Sequence, residues 1–220
     1  MHRLDGAIID FTEAVYDLGR SDEDWLPKVV ECGLPFLEQG LGVAAVEYGR
    51  PPEGGNVEIR RIHLGAGRSD FPERHLAALS AMPPEMLREI AQPGQATTMS
   101  AGQAHQPEAL QIYTDHVDYC ADVFGLSAVD DKGHGVAIVA PLPEVTTLSP
   151  GDSERWQMLA AHLDAGHRLR RSLASPDDGD ASATDIPHKA EAIFDVRSAR
   201  ITDTVGQARD VTATERLRQA

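Results

Sequence analysis

The chain has 220 residues, 41% of them hydrophobic, enough to bury the core of one domain of about 100–200 residues with some excess. Acidic residues outnumber basic ones by 35 to 20, a formal charge of −15, so the chain as a whole repels phosphate backbones and anionic membranes, and direct nucleic-acid binding is not expected of it. There is no apolar run long enough to span a bilayer and no charged-then-apolar leader, and Cys32 and Cys120 lack C-x-x-C spacing; a cytoplasmic protein with reduced thiols is expected.

Residues 4–18 place Leu4, Ala7, Ile8, Phe11, Ala14, Val15 and Leu18 on one helical stripe that Gly19 ends. "SDEDWLPKVVECGLPFLEQG" (21–40) opens with acids suited to a helix start and continues through Trp25, Val29, Val30, Leu34 and Leu37. Pro27 and Pro35 each remove a helical hydrogen bond, so a kink or two short pieces are expected, with Asp24 as the cap that would keep Pro27 in the first turn. "LGVAAVEYG" and "VEIRRIHL", joined by "RPPEGGN", read as an antiparallel hairpin. A helix over 72–92 is interrupted at Pro83-Pro84, a short strand follows near "QATTMS", and a helix is expected from Pro107 to about Phe124. "GLSAVDDKGHGVAIVAPLP" is a second hairpin turning at its glycines, and residues 149–173 form a long helix, capped at its start and ending in Arg168, Arg170 and Arg171. Residues 174–190 have the small, acidic composition of a linker, and 191–220 add strand, turn, strand and helix. Hairpins set between helices predict an α+β fold, an antiparallel sheet flanked by helices, rather than a parallel doubly wound sheet.

The chemical motifs are weak. "GLGVAA" (40–45) matches G-x-G-x-x-A, but its glycines follow a helix and open a strand, the reverse of a dinucleotide fingerprint. "GAGRSD" (65–70) lacks a third glycine and a lysine, and reads as a loop. His162 and His167, five apart, fall on different helix faces and are expected as partly exposed histidines, so no metal site is read. "TDHVDYC" (114–120) is the densest patch. Cys120 and His116 could in principle pair as nucleophile and base, yet nothing marks an oxyanion hole, and burial of Tyr119 or Cys120 in a core or small pocket fits better. Asp130 and Asp131 read as turn formers, and Trp25 and Trp156 as core anchors.

The order of elements resembles a GAF domain. Ala161-His162-Leu163 and Arg168-Leu169-Arg170-Arg171 on the long helix, an acidic spacer, and Glu191-Ala192-Ile193-Phe194-Asp195 resemble the N-terminal sensory region of LuxR-type helix-turn-helix transcription regulators, in which a PAS-like hairpin follows the GAF-like part. The resemblance implies a GAF-like sensory domain over 1–173, an acidic linker over 174–190 and a partial PAS-like hairpin plus helix over 191–220. The family's DNA-binding helices are not read within these residues, so DNA binding is not carried over. It also implies signal sensing in a cavity between sheet and helices, and a homodimer. The family's marked ligand classes do not transfer. The Asn-Lys-Phe-Asp-Glu set of cyclic-nucleotide binders is missing, the sole asparagine being Asn56; Cys120 precedes Ala121 rather than the histidine of bilin binders; and two distant cysteines do not support a sulfoxide-reductase cycle.

The expectation is therefore a non-enzymatic, signal-receiving domain of a cytoplasmic transcription regulator, binding a small molecule or a protein partner, with no cofactor, no metal and no catalytic residue. Tyr48, Tyr113, His116 and Tyr119, as aromatic or titratable groups on inner elements, are the candidate ligand-binding residues. Two alternatives stand beside it. One is a ligand-free dimerisation or scaffold module with a filled core; the other is a small hydrolase or redox enzyme using Cys120 and His116.

Overall fold

The structure, a computed structural model, describes residues 2–49, 57–90, 94–101, 106–130, 132–174, 192–195 and 200–204. The chain divides into two compact units, Met1–Arg171 and Ser172–Ala220. In the first, α1 (His2–Val15) and α2 (Asp22–Leu37) precede β1 (Gly42–Gly49) and β2 (Glu58–Gly67). Then come α3 (Phe71–Ala81), α4 (Pro84–Ile90), β3 (Ala96–Thr98), a 3₁₀ turn at Met99–Ala101, α5 (Gln106–His116), β4 (Asp122–Val129), β5 (His134–Leu142) and α6 (Pro150–Ala174). The strands form one five-stranded sheet in the order β2-β1-β5-β4-β3, antiparallel at every pairing. The fold is α+β, as the alternation of hairpins and helices predicts.

Two helical readings change: α2 is not split into two pieces and is not capped by Asp24, and α5 is shorter than expected. Asp22–Leu37 is a single helix with both prolines inside it, and its cap is Ser21, whose Oγ accepts from the Asp24 amide at 3.1 Å; Asp24 lies within the first turn. Burial of Trp25, Leu26, Val29, Val30, Phe36 and Leu37 outweighs the two lost hydrogen bonds. The expected helix from Pro107 to Phe124 stops at His116, because residues 122–129 pair with both β3 and β5. Pairing with β5 along its length and with β3 at Phe124–Leu126 gives the backbone there long-range partners, which local propensity could not foresee.

The central strands are covered on both faces, and their alternation sorts side chains into two cores. Val43 and Ala45 of β1, with Phe124, Leu126, Val136 and Ile138, pack against Phe11, Val15, Trp25, Leu26 and Val29 of α1 and α2 and against Leu159 and Leu163 of α6. Ala44 and Val46, with Val123 and Val139, face Phe71 and Ala78 of α3, Met86 of α4 and Tyr113 of α5. Trp25 anchors the first core and donates its indole N–H to the Val15 carbonyl at 3.1 Å, satisfying the C-terminal end of α1. Asp130 serves the β4–β5 turn: its Oδ1 accepts the amides of Lys132 at 2.9 Å and His134 at 2.8 Å, and Gly133 takes φ +79° there. Asp131 lies outside the described residues.

The second unit holds a short antiparallel hairpin of β6 (Ala192–Asp195) and β7 (Arg200–Thr204). Of the linker expected at 174–190, Ala174 closes α6, and the rest, like the expected terminal helix, lies outside the described residues.

α6 meets α1 at a close approach that only glycine permits. A Cβ on Gly166 would overlap the Val15 side chain and stand 2.8 Å from the Val15 carbonyl oxygen, which is already held by Trp25. Gly166→Ala is expected to lower stability by about 1–3 kcal/mol, as overpacking does, read as a fall in the urea midpoint with unchanged m-value.

Candidate functional site

Between the sheet and the layer of α3, α4 and α5 lies a cavity of about 100 Å³. Its floor is the sheet face of Val46, Tyr48, Ile59, Gly125, Ala137 and Val139; its roof is Leu79, Leu87, Ile90 and Tyr113, with Gln95, Thr97 and Ser127 at the β3–β4 side. The space exists because of Gly125. That residue faces Val139 on β5 and Thr97 on β3, and a Cβ built on it meets nothing within 4 Å. A second glycine shapes the far end. Gly135 pairs with Tyr48 across β1 and β5, and the Tyr48 ring lies where a Cβ on Gly135 would stand.

The described lining contains no carboxylate, ammonium or guanidinium group. Its polar centre is a pair. The Tyr113 hydroxyl and His75 Nδ1 share a hydrogen bond of 2.7 Å, with Tyr113 0% and His75 3% exposed. Burial pulls the His75 pKa down to about 4 and pushes Tyr113 well above its usual value, so both are neutral at pH 7. A site walled by apolar side chains with a few neutral hydrogen-bonding groups can hold an uncharged molecule; a buried ion there would lose its hydration with nothing to replace it.

Of the four candidate residues, Tyr48 and Tyr113 meet at this cavity. His116 and Tyr119 do not line it: His116 Nδ1 engages the Ile112 carbonyl at 2.9 Å on α5, and the half-buried Tyr119 ring stacks beneath the Arg68 guanidinium, 4.8 Å from its centroid. Burial raises the Tyr119 pKa, followed by the nearby Asp70 carboxylate. His75 was missed by the sequence reading. It stands among polar residues of an amphipathic helix, and only packing of α3 on α5 (Phe71–His75 and His75–Tyr113 ring contacts at 5.5 Å) turns it inward.

Cys120 and His116 form no pair with each other. The buried Cys120 thiol donates to the Val117 carbonyl at 3.2 Å, and burial, then the Asp122 carboxylate, pushes its pKa up to about 11. A thiol so placed is protonated at neutral pH and a poor nucleophile. Asp122, 0% exposed, accepts the amides of Ser100 at 3.0 Å, Val123 at 2.8 Å and Thr146 at 3.1 Å and the Ser100 hydroxyl, tying the 3₁₀ turn and the β5–α6 loop to β4. Among the described residues no three metal-ligating side chains are grouped. His162 receives or gives a hydrogen bond with the Tyr16 hydroxyl at 3.1 Å, whereas His167, expected to be partly exposed, is only 5% exposed because it faces inward beside Trp25.

No protein-family model matches the chain, and no curated protein matches it. Among solved structures it is similar to the N-acylhomoserine lactone dependent LuxR-family transcription factor CepR2 from Burkholderia cenocepacia, at 14% identity and TM-score 0.47, covering 77% of this chain and 99% of that one. It is also similar to the GAF domain of a protein described as a sensor histidine kinase from Pseudomonas syringae pv. tomato, at 16% identity and TM-score 0.42, covering 78% of this chain and 91% of that one. No helix among the described residues is long and apolar enough to cross a membrane.

The depressed pKa of His75 carries a pH dependence. Below about pH 6.5 the unfolded chain takes up a proton that the folded chain refuses until about pH 4, so stability is full at pH 7 and falls as pH drops through that window. His75→Gln, which keeps a partner for Tyr113 and does not titrate, should lose about 2 kcal/mol less than the wild type between pH 7 and pH 5. Urea unfolding of both proteins at the two pH values checks it.

Proposed function

We propose that the chain is a non-enzymatic, signal-sensing domain of a cytoplasmic transcription regulator, and that the cavity between the sheet and α3–α5 takes a small, uncharged, mostly apolar molecule. One observation carries this reading. A central strand otherwise enclosed on both faces carries Gly125 where a side chain would fill the space, beneath a neutral Tyr113–His75 pair able to orient one polar group. Apolar cavities of similar size, about 150 Å³, hold benzene-sized guests. Tyr48 and Tyr113 are the proposed contacts in the cavity; His116 and Tyr119 would act, if they contact a ligand, from outside its described lining. The ligand must bind one arrangement of α6 better than another, since only differential affinity shifts a population, and a coupling of about 1–3 kcal/mol suffices. N-acylhomoserine lactone dependence belongs to CepR2 by its description.

Benzyl alcohol, an apolar ring with one hydroxyl, is a suitable probe. The wild type should gain thermal stability as its concentration rises, following RT ln(1 + [L]/Kd), while Gly125→Leu, with the space filled, should keep or raise its ligand-free Tm and lose the response. No response in the wild type to any neutral probe of this size favours the scaffold reading.

A homodimer is part of the proposal. Ile9 on α1 (57% exposed) and Met158 and Leu169 on α6 (51% and 39%) are large apolar side chains exposed at the surface. Sedimentation should show a dimer for the wild type and a monomer for a double variant Met158→Lys with Leu169→Lys.

A further inference from the structure

A second cavity, of about 120 Å³, lies where β1, β2 and β5 meet the start of α2 and the end of α6. In contrast to the first, charged side chains line it. Arg60 and Arg61 are adjacent in β2, and neighbours on a regular strand point to opposite faces. Here the register shifts between Glu47↔Arg61 and Tyr48↔Ile59, leaving Arg60 as the extra residue of a bulge. The bulge brings both arginines to the same cavity, the kind of re-aiming that bulges produce beside functional sites.

The acids around this cavity are already engaged. Arg170 donates to Asp22 at 2.8 Å, Arg171 to the buried Asp130 at 3.3 Å, and Glu47 holds His63 at 3.1 Å and stands 4.0 Å from Arg61. Arg60 packs along Gly49 and has no hydrogen-bond or ion-pair partner among the described residues. His167 lines the same cavity from α6; it is 5% exposed, and its Nδ1 is buried with no hydrogen-bond partner among the described residues. In a chain of charge −15, a cavity with a surplus guanidinium and an unsatisfied imidazole nitrogen is complementary to an anion.

We propose that this cavity binds a phosphate group, free or carried on a metabolite, with the Arg60 guanidinium and the Nδ1–H of His167 as direct donors and Arg61 and Arg171 supplying further positive charge. Guanidinium forks match carboxylate and phosphate alike. The donors, however, come from separate walls, β2 and α6, so an acceptor with oxygens on several sides meets both, whereas a flat carboxylate offers two oxygens in one plane. The site is independent of the ligand reading for the first cavity.

Calorimetric titration of the whole chain with inorganic phosphate at pH 7.5, chloride holding the ionic strength constant, tests the assignment. Saturable binding is expected, weakened tenfold or more by Arg60→Ala, which removes no ion pair and so should keep the wild-type urea midpoint. The His167 imidazole resonances should move with the same binding curve. Glycerol 3-phosphate binding more tightly than inorganic phosphate identifies a phosphate ester as the natural source; the reverse order identifies the free ion. Absence of saturable heat, equal binding by Arg60→Ala, or acetate binding as tightly as phosphate overturns the proposal.

Discussion

Burial of the central strands on both faces is the constraint on which the rest of the first unit depends. β1 is interior along nearly its whole length, and β4 and β5 are almost as enclosed. A strand in that position has no solvated side, so each alternate set of side chains needs its own helical cover. α1, α2 and α6 supply one layer, and α3, α4 and α5 the other. Fully burying side chains such as Phe11, Phe71 and Leu126 contributes about 1.5–3 kcal/mol each, offsetting the prolines inside α2 and the burial of Asp122.

Both candidate sites arise where the regular pattern of that sheet is broken. At Gly125 the alternation continues but the side chain is missing, and the helices above do not close the gap. At Arg60 the side chain is present but the alternation slips by one residue. The first break leaves neutral, apolar space; the second gathers charge. Tyr48 lines both cavities, its ring laid over Gly135, so the floor of one adjoins the wall of the other.

α6 is fixed to the same framework by its arginines. Arg170 is nearly buried, donates to the carbonyls of Asp17 at 2.8 Å and Arg20 at 2.9 Å and to Asp22, and lies 5.0 Å over the Trp25 ring. The guanidinium thereby satisfies carbonyls in the α1–α2 connection that no regular structure pairs. Arg171 reaches instead to Asp130 and His134 at the β4–β5 turn. The Arg168–Arg171 run, legible in the sequence as cations at a helix end, is a set of distinct joints to two parts of the fold.

Local pattern suffices for most of the element types, the two hairpins, the antiparallel α+β class, and the roles of Asp130 as a turn former and Trp25 as a core anchor. These are local properties: hydrophobic period, turn residues and caps act over a few neighbours and can be read from them. Long-range packing sets the end of α5 at His116, the two prolines inside one helix, the inward turn of His75 and His167, and the cavity that Arg60 shares with Arg61. Each depends on what packs across from the residue, a partner strand with its own register or a helix distant in the chain, and such energies of burial and pairing outweigh the tenths of a kcal/mol carried by local propensity.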